Sequence, residues 1–189
     1  MDTTKRRRDT LDRYYTPVRL AHAIMARVEW RVGPYVNNPS VLVIEPHVGA
    51  GGFVAAARLR FGDRCRVVGV DRDAEAAGLK ACDYALVADW RATSRDQIVR
   101  CGYDHMLLIG NPPYGVTRKG EWQEHAEHAF AVAPEATVVF LLKLSFLSGQ
   151  RRRGFWARHP PCKVDVLSRR PSFTGDGATD RFTDYCVVT

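Results

Sequence analysis

The sequence predicts an α/β fold: one mostly parallel sheet with helices on both of its faces. Three observations carry this reading. Short apolar runs that suit strands buried on both sides alternate with segments of helical composition. Glycine, proline and asparagine clusters punctuate the runs. The chain has 189 residues, 46% hydrophobic and 26% charged, enough to build a full core without staples.

The elements follow in order. Residues 1–10 are polar and basic and read as a flexible tail, which leaves 11–189 as a single domain without an interior linker or repeat. Thr16-Pro17 opens a helix over 18–30, the threonine as its cap and the proline in its first turn, with Leu20, Ile24 and Val28 on one face. Val41-Leu42-Val43-Ile44 is the first strand, ending at Glu45. The turn Gly49-Ala50-Gly51-Gly52 leads into a helix over 53–60. A second strand over 66–70 ends at Asp71, and a short helix spans 73–80. The third strand, 84–88, ends at Asp89 and precedes a helical piece over 96–100. The fourth, 105–109, runs directly into Gly110-Asn111-Pro112-Pro113-Tyr114. A helix over 121–132, a strand over 137–142 and a helix over 149–157 follow. Strands over 163–167 and 185–188 bring the total to seven.

Lys plus Arg number 28 against 21 Asp plus Glu, a formal charge of +7 that favours a polyanionic partner. No apolar run approaches the roughly 18 residues of a membrane span, and no apolar segment follows the basic N-terminus as in a signal peptide. Five widely spaced cysteines without a CxxC pair suit reduced thiols. The expected location is therefore intracellular and cytoplasmic.

In an open α/β sheet, ligands bind beyond the carboxyl ends of the strands. Glu45, Asp71, Asp89 and Asn111 all fall there. The segment Glu45-Pro46-His47-Val48-Gly49-Ala50-Gly51-Gly52-Phe53 is neither GxGxxG nor a P-loop, but its glycines allow close approach of a ligand to the backbone. By itself it reads equally as a tight structural turn. Asp71 can accept two ribose hydroxyls, or it can cap a helix. Asn111-Pro112-Pro113-Tyr114 is the sharpest feature. Two prolines fix the backbone and remove two N–H donors, so carbonyl groups and an amide oxygen are presented as acceptors. An aromatic ring follows at once. Acceptors beside a flat ring describe a pocket for a planar amine such as a nucleobase.

With these residues in this order, the chain resembles the S-adenosylmethionine-dependent amino-methyltransferases, most closely the DNA adenine-N6 methyltransferases. The likeness runs from Tyr15-Thr16-Pro17 through the glycine-rich loop to Asn111-Pro112-Pro113-Tyr114. It implies a Rossmann-like class I methyltransferase domain whose seventh strand is antiparallel. It implies S-adenosyl-L-methionine as cofactor, with Tyr15, Thr16 and Pro17 at its methionine end, Glu45 near its amino group, and Gly49 and Gly51 beside its backbone path. Asp71 would hold the ribose, Asp89 and Trp90 the cofactor's adenine, Asn111 would border the cofactor as well as the substrate, and Phe53 would pack near the cofactor or in the core. His47 is given no chemistry, and no metal is implied. The substrate adenine, flipped or unpaired, would donate from N6 to Asn111 and Pro112, and Pro113 would complete the rigid turn. Tyr114 on one face and Phe173 on the other would stack on the base.

Arg118 and Lys119, Arg151 and Arg152, and Arg170 would hold phosphates on the pocket rim, DNA first and RNA second. A protein glutamine substrate, or an inactive nucleic-acid-binding subunit, ranks below these. No separate target-recognition domain is evident, so specificity is relaxed, loop-borne or supplied by a partner subunit. His125 and His128 read as an exposed polar helix face.

Overall fold

The computed structural model describes residues 15–29, 39–115, 120–173, 179 and 182–189. Seven strands form one sheet in the order β3-β2-β1-β4-β5-β7-β6. They are β1 (Val41–Glu45), β2 (Cys65–Asp71), β3 (Tyr84–Val87), β4 (His105–Gly110), β5 (Thr137–Lys143), β6 (Val164–Val166) and β7 (Tyr185–Val188). All pairings are parallel except those of β7, which runs antiparallel to both β5 and β6.

Burial explains the composition of the strands. β1 is buried along its whole length, which is why it reads as an unbroken apolar run. β3 lies at the edge, and Val87 there is 59% exposed.

Among the described residues five helices flank the sheet: α1 (Val18–Arg27), α2 (Gly52–Phe61), α3 (Arg95–Ile98), α4 (Glu121–Val132) and α5 (Arg153–Arg158). β5 alternates between the two faces. Val139 shares a groove with Leu20 and Ile24 of α1, whereas Phe140 and Leu142 share a cavity with Trp122 of α4 and Phe155 of α5. Among the described residues no helix is long and apolar enough to cross a membrane.

Three expectations need correction. Pro17, not Thr16, occupies the N-cap of α1, and no side chain caps that end. The helix expected over 73–80 is only a 3₁₀ turn, Ala77–Ala81. Asp71 and Asp73 each accept from the backbone N–H two residues on, at 2.9 and 3.1 Å, which favours tight turns over an α-helix there. The expected helix over 149–157 is divided between a 3₁₀ turn, Gln150–Arg152, and α5.

Candidate active site

The strand order reverses beside β1, whose neighbours are β2 and β4. Loops leaving adjacent strands on opposite faces part there and open a crevice. A cleft lies at this point. Its walls carry Tyr15, Gly49, Asp71, Trp90, Asn111, Pro112 and Pro113, so the structure gathers seven of the expected residues around one space.

The glycine loop is held by the chain itself. Gly49 (φ 50°) and Gly51 (φ 81°) occupy left-handed backbone conformations that other residues rarely adopt. The Gly49 N–H donates to Asp71 Oδ2 at 2.8 Å, and the Gly49 carbonyl accepts from Gly78 N–H at 2.9 Å. A Cβ on Gly51 would lie 2.9 Å from Gly78 Cα, and one on Gly52 would lie 2.6 Å from the Thr16 carbonyl oxygen. The Tyr15 ring covers Gly49 in the same way, at 2.7 Å. Residues 15–16 and the turn after β2 therefore grip the loop, and Gly49, not Gly51, faces the cleft. Thr16, whose carbonyl lies against Gly52, and Pro17 are not in the cleft wall.

Glu45 is buried beneath this loop. Burial pushes its carboxyl well above the usual range, against the Phe53 and Val54 backbone N–H groups that donate to it at the start of α2. Its Oε2 is buried without a hydrogen-bond partner among the described residues. Phe53 is core and does not line the cleft.

Asp89 departs from expectation. Both of its oxygens are taken by the Arg91 guanidinium, at 2.7 and 3.0 Å, and the Arg91 backbone N–H donates to it as well. Arg91 thereby holds the carboxyl well below the usual carboxylate range. Arg91 also reaches Glu124 at 3.0 Å, so the loop after β3 is tied to α4. Trp90 does line the cleft, and its indole N–H donates to the His125 carbonyl at 3.0 Å.

The two expected stacking rings are core residues instead. Tyr114 is 8% exposed, and its hydroxyl donates to the Leu141 carbonyl of β5 at 3.1 Å. Phe173 is likewise 8% exposed. Both rings pack on Tyr185, with centroids at 6.0 and 5.1 Å. A buried ring next to the sheet gains more from apolar contact than from facing an open cleft, and neither ring lines it.

The basic rim is smaller than the sequence count. Arg152 donates to the Ser145 and Ser148 carbonyls, and Arg170 pairs with Asp184 at 2.9 Å. Arg158 pairs with Glu127, and Lys163 with Glu29. Arg151, Arg153 and Arg169 are exposed and have no partner among the described residues. Arg118 and Lys119 lie outside the described residues.

Sequence reasoning missed two residues, His47 and His125. Both line the cleft. His125 is 3% exposed, not on an open polar face, because α4 turns it onto the loop after β1. Glu121, one turn earlier, is buried with it. The signal available was weak: a buried histidine on a polar helix looks like any exposed one.

No family model matches the sequence, and no curated protein matches it. Solved structures do. PH1948 of Pyrococcus horikoshii, provisionally assigned as an RNA methyltransferase, aligns over 95% of this chain and 88% of its own, with 18% identity and a TM-score of 0.62. The methyltransferase subunit of a type I restriction-modification system from Streptococcus thermophilus aligns over 93% of this chain but only 44% of its own, with 14% identity and a TM-score of 0.63. A SAM-dependent methyltransferase of Leishmania major aligns over 90% and 70%, with 8% identity and a TM-score of 0.60. The fold is that of the S-adenosylmethionine-dependent methyltransferases. At such identities the likeness concerns the fold alone, and the cleft sits where this fold opens at its strand reversal.

Proposed function

We propose that this chain transfers a methyl group from S-adenosyl-L-methionine to the N6 amine of adenine in DNA. The observation that carries the reading is Asn111-Pro112-Pro113 in the wall of the cleft that also holds Gly49 and Asp71. An amine-binding turn and a nucleoside-binding loop thus share one space. The residues suit the cofactor's chemistry. The Asp71 carboxylate can accept from a diol, and the Tyr15 and Trp90 rings are apolar walls. Glu45 is buried outside the cleft wall and is assigned no direct contact with the cofactor. Asp89 and Gly51 are assigned no contact with it.

When bound, the cofactor supplies an electrophilic methyl group on a sulfonium. The chain does the rest by position. Asn111 and the Pro112 carbonyl accept from the N6 amine, which turns its lone pair out of conjugation with the ring. Pro113 keeps those acceptors rigid. Pre-set acceptors of this kind lower the barrier without reorganising during the reaction. Arg151, Arg153 and Arg169 would hold phosphates without reading sequence.

RNA is the second reading. PH1948, matched over most of both chains, is provisionally assigned to RNA, whereas this chain spans less than half of the DNA-system subunit.

The test is methyl transfer from labelled cofactor to unmethylated DNA and, in parallel, to RNA, with the modified nucleoside identified by mass. N6-methyladenine in DNA, lost in Asn111→Ala, is the expected result. Label confined to RNA moves the chemistry to that substrate. Absence of label in both overturns the reading.

A further inference from the structure

Two imidazoles meet on the cleft floor, and the function proposed above gives neither a role. His47 follows β1, and His125 lies in the middle of α4. His47 Nε2 and His125 Nδ1 are 2.8 Å apart, a single hydrogen bond, with the rings edge to face. Beyond the pair, His125 Nε2 lies 4.0 Å from Glu121 Oε1. On the other side, His47 Nδ1 is buried without a hydrogen-bond partner among the described residues. It stands against Gly110, where a Cβ would be 3.7 Å from it, and Asn111 is the next residue.

One proton occupies the shared bond, so the pair has two arrangements. If His125 Nδ1 donates, His47 carries its proton on Nδ1, a buried donor with nothing to accept it. His125 Nε2 then turns a lone pair toward a carboxylate. If His47 Nε2 donates, the His125 Nε2–H faces Glu121 and His47 Nδ1 is a bare lone pair. Each arrangement leaves one buried N–H without a hydrogen bond. The second aims it at the Glu121 carboxyl, 4.0 Å away, where the first would turn a lone pair toward that group, and is favoured on that electrostatic ground. Burial keeps both rings neutral, lowering His47 well below its ordinary value and His125 to about 4. Arg72, after β2, and Arg91, after β3, push the same way, while Asp89 opposes them. His128 on α4 adds a small effect on His125.

We propose that His47 Nδ1 accepts the proton that the substrate amine gives up on methylation, and that His125 and Glu121 are positioning residues holding the accepting tautomer. The inference rests on the methyltransferase reading above. The amine lone pair forms the new N–C bond, and the methyl carbon's bond to sulfur breaks with both electrons going to sulfur. One N–H proton then passes to His47. The protonated N-methyl aryl amine so formed is a strong acid, so a weakly basic imidazole suffices, and it stays unprotonated at neutral pH.

The first test needs no reaction. Long-range ¹H–¹⁵N NMR of the imidazole nitrogens, on the wild-type chain alone at pH 7, is expected to show His47 protonated at Nε2 and bare at Nδ1. A proton on His47 Nδ1 overturns the proposal, whatever the variants do. The second test is kinetic. His47→Gln keeps a polar side chain but loses the base, and its single-turnover rate is expected to fall about 100-fold with cofactor and nucleic-acid affinity unchanged. Imidazole in the buffer should restore part of the rate of His47→Ala, in proportion to its neutral fraction. A His47→Gln rate equal to wild type sinks the relay and leaves the methyltransferase reading standing. A wild-type chain that methylates neither nucleic acid sinks both.

Discussion

The packing around Gly51 by itself requires glycine there. Its φ of 81° and the 2.9 Å approach to Gly78 both exclude a side chain. Gly102, at φ 88°, has nothing within 4 Å of its missing Cβ and so isolates the conformational cost. Gly102→Ala should cost about 1–2 kcal/mol. Gly51→Ala should cost roughly 1–3 kcal/mol more, the price of overpacking against backbone. Denaturant midpoints of the two variants measure the difference, and equal losses would remove the packing argument. At this scale the sequence was half legible. The Asn-Pro-Pro turn announces itself, because proline constrains backbone wherever it stands. The fate of Tyr114, Phe173 and Asp89 was not legible. Tyr114 and Phe173 are decided by partners on later strands, Leu141 and Tyr185, and Asp89 by the side chain of Arg91, two residues on, which folds back over it.

Between elements, the junction of the β1 loop with α4 carries the clearest pH signature. Folding lowers the basicity of His47 and His125, so both stay neutral where the unfolded chain would take up protons. The unfolded state then binds more protons, and stability is lost as pH falls from about 6.5 toward about 4. For His125 alone the full loss is roughly 3 kcal/mol, at 1.36 kcal/mol per pKa unit. The depressed Asp89 acts in a lower window, below ordinary carboxylate values. Unfolding curves at pH 7, 6 and 5 measure the slope, and His125→Gln should flatten it. The raised Glu45 carboxyl acts in the opposite sense, its contribution growing as pH falls. The pair is therefore read from the difference between the two slopes, and a His125→Gln slope equal to wild type would contradict it. The strands and α4 were readable from apolar runs and periodicity, since burial on both faces leaves a continuous hydrophobic stretch. The turn after β2 was misread as a helix because its aspartates bind their own backbone, a competition that periodicity does not register.

For the whole molecule, the net charge of +7 overstates the surface offered to a polyanion. Pairing with Glu127, Glu29 and Asp184 removes three of the basic side chains after β5 and β6, and carbonyl groups hold a fourth. Arg151, Arg153 and Arg169 remain, on the edge to which parallel strands deliver their following loops. Replacing all three with alanine should reduce the slope of log affinity against log salt by about 2–3 for duplex DNA. Arg170→Ala should change it less. Titrations at several salt concentrations decide between them, and an unchanged slope in the triple variant would move the nucleic-acid surface elsewhere. The α/β class was legible because alternation is a property of the whole chain. The convergence of seven expected residues on one cleft followed from strand order, which no single segment encodes.

The insertion of β7 between β5 and β6 also sets a timetable for synthesis. Among the described residues β6 has no sheet neighbour other than β7, and residues 167–184 must be made before that neighbour begins. At about 5–20 residues per second, β6 waits roughly one to four seconds on the growing chain without a partner. During that interval the edge of β5 is open as well, an apolar strand with unfilled backbone bonds. A nascent chain stalled just short of residue 185 should therefore be the species most readily captured by a chaperone.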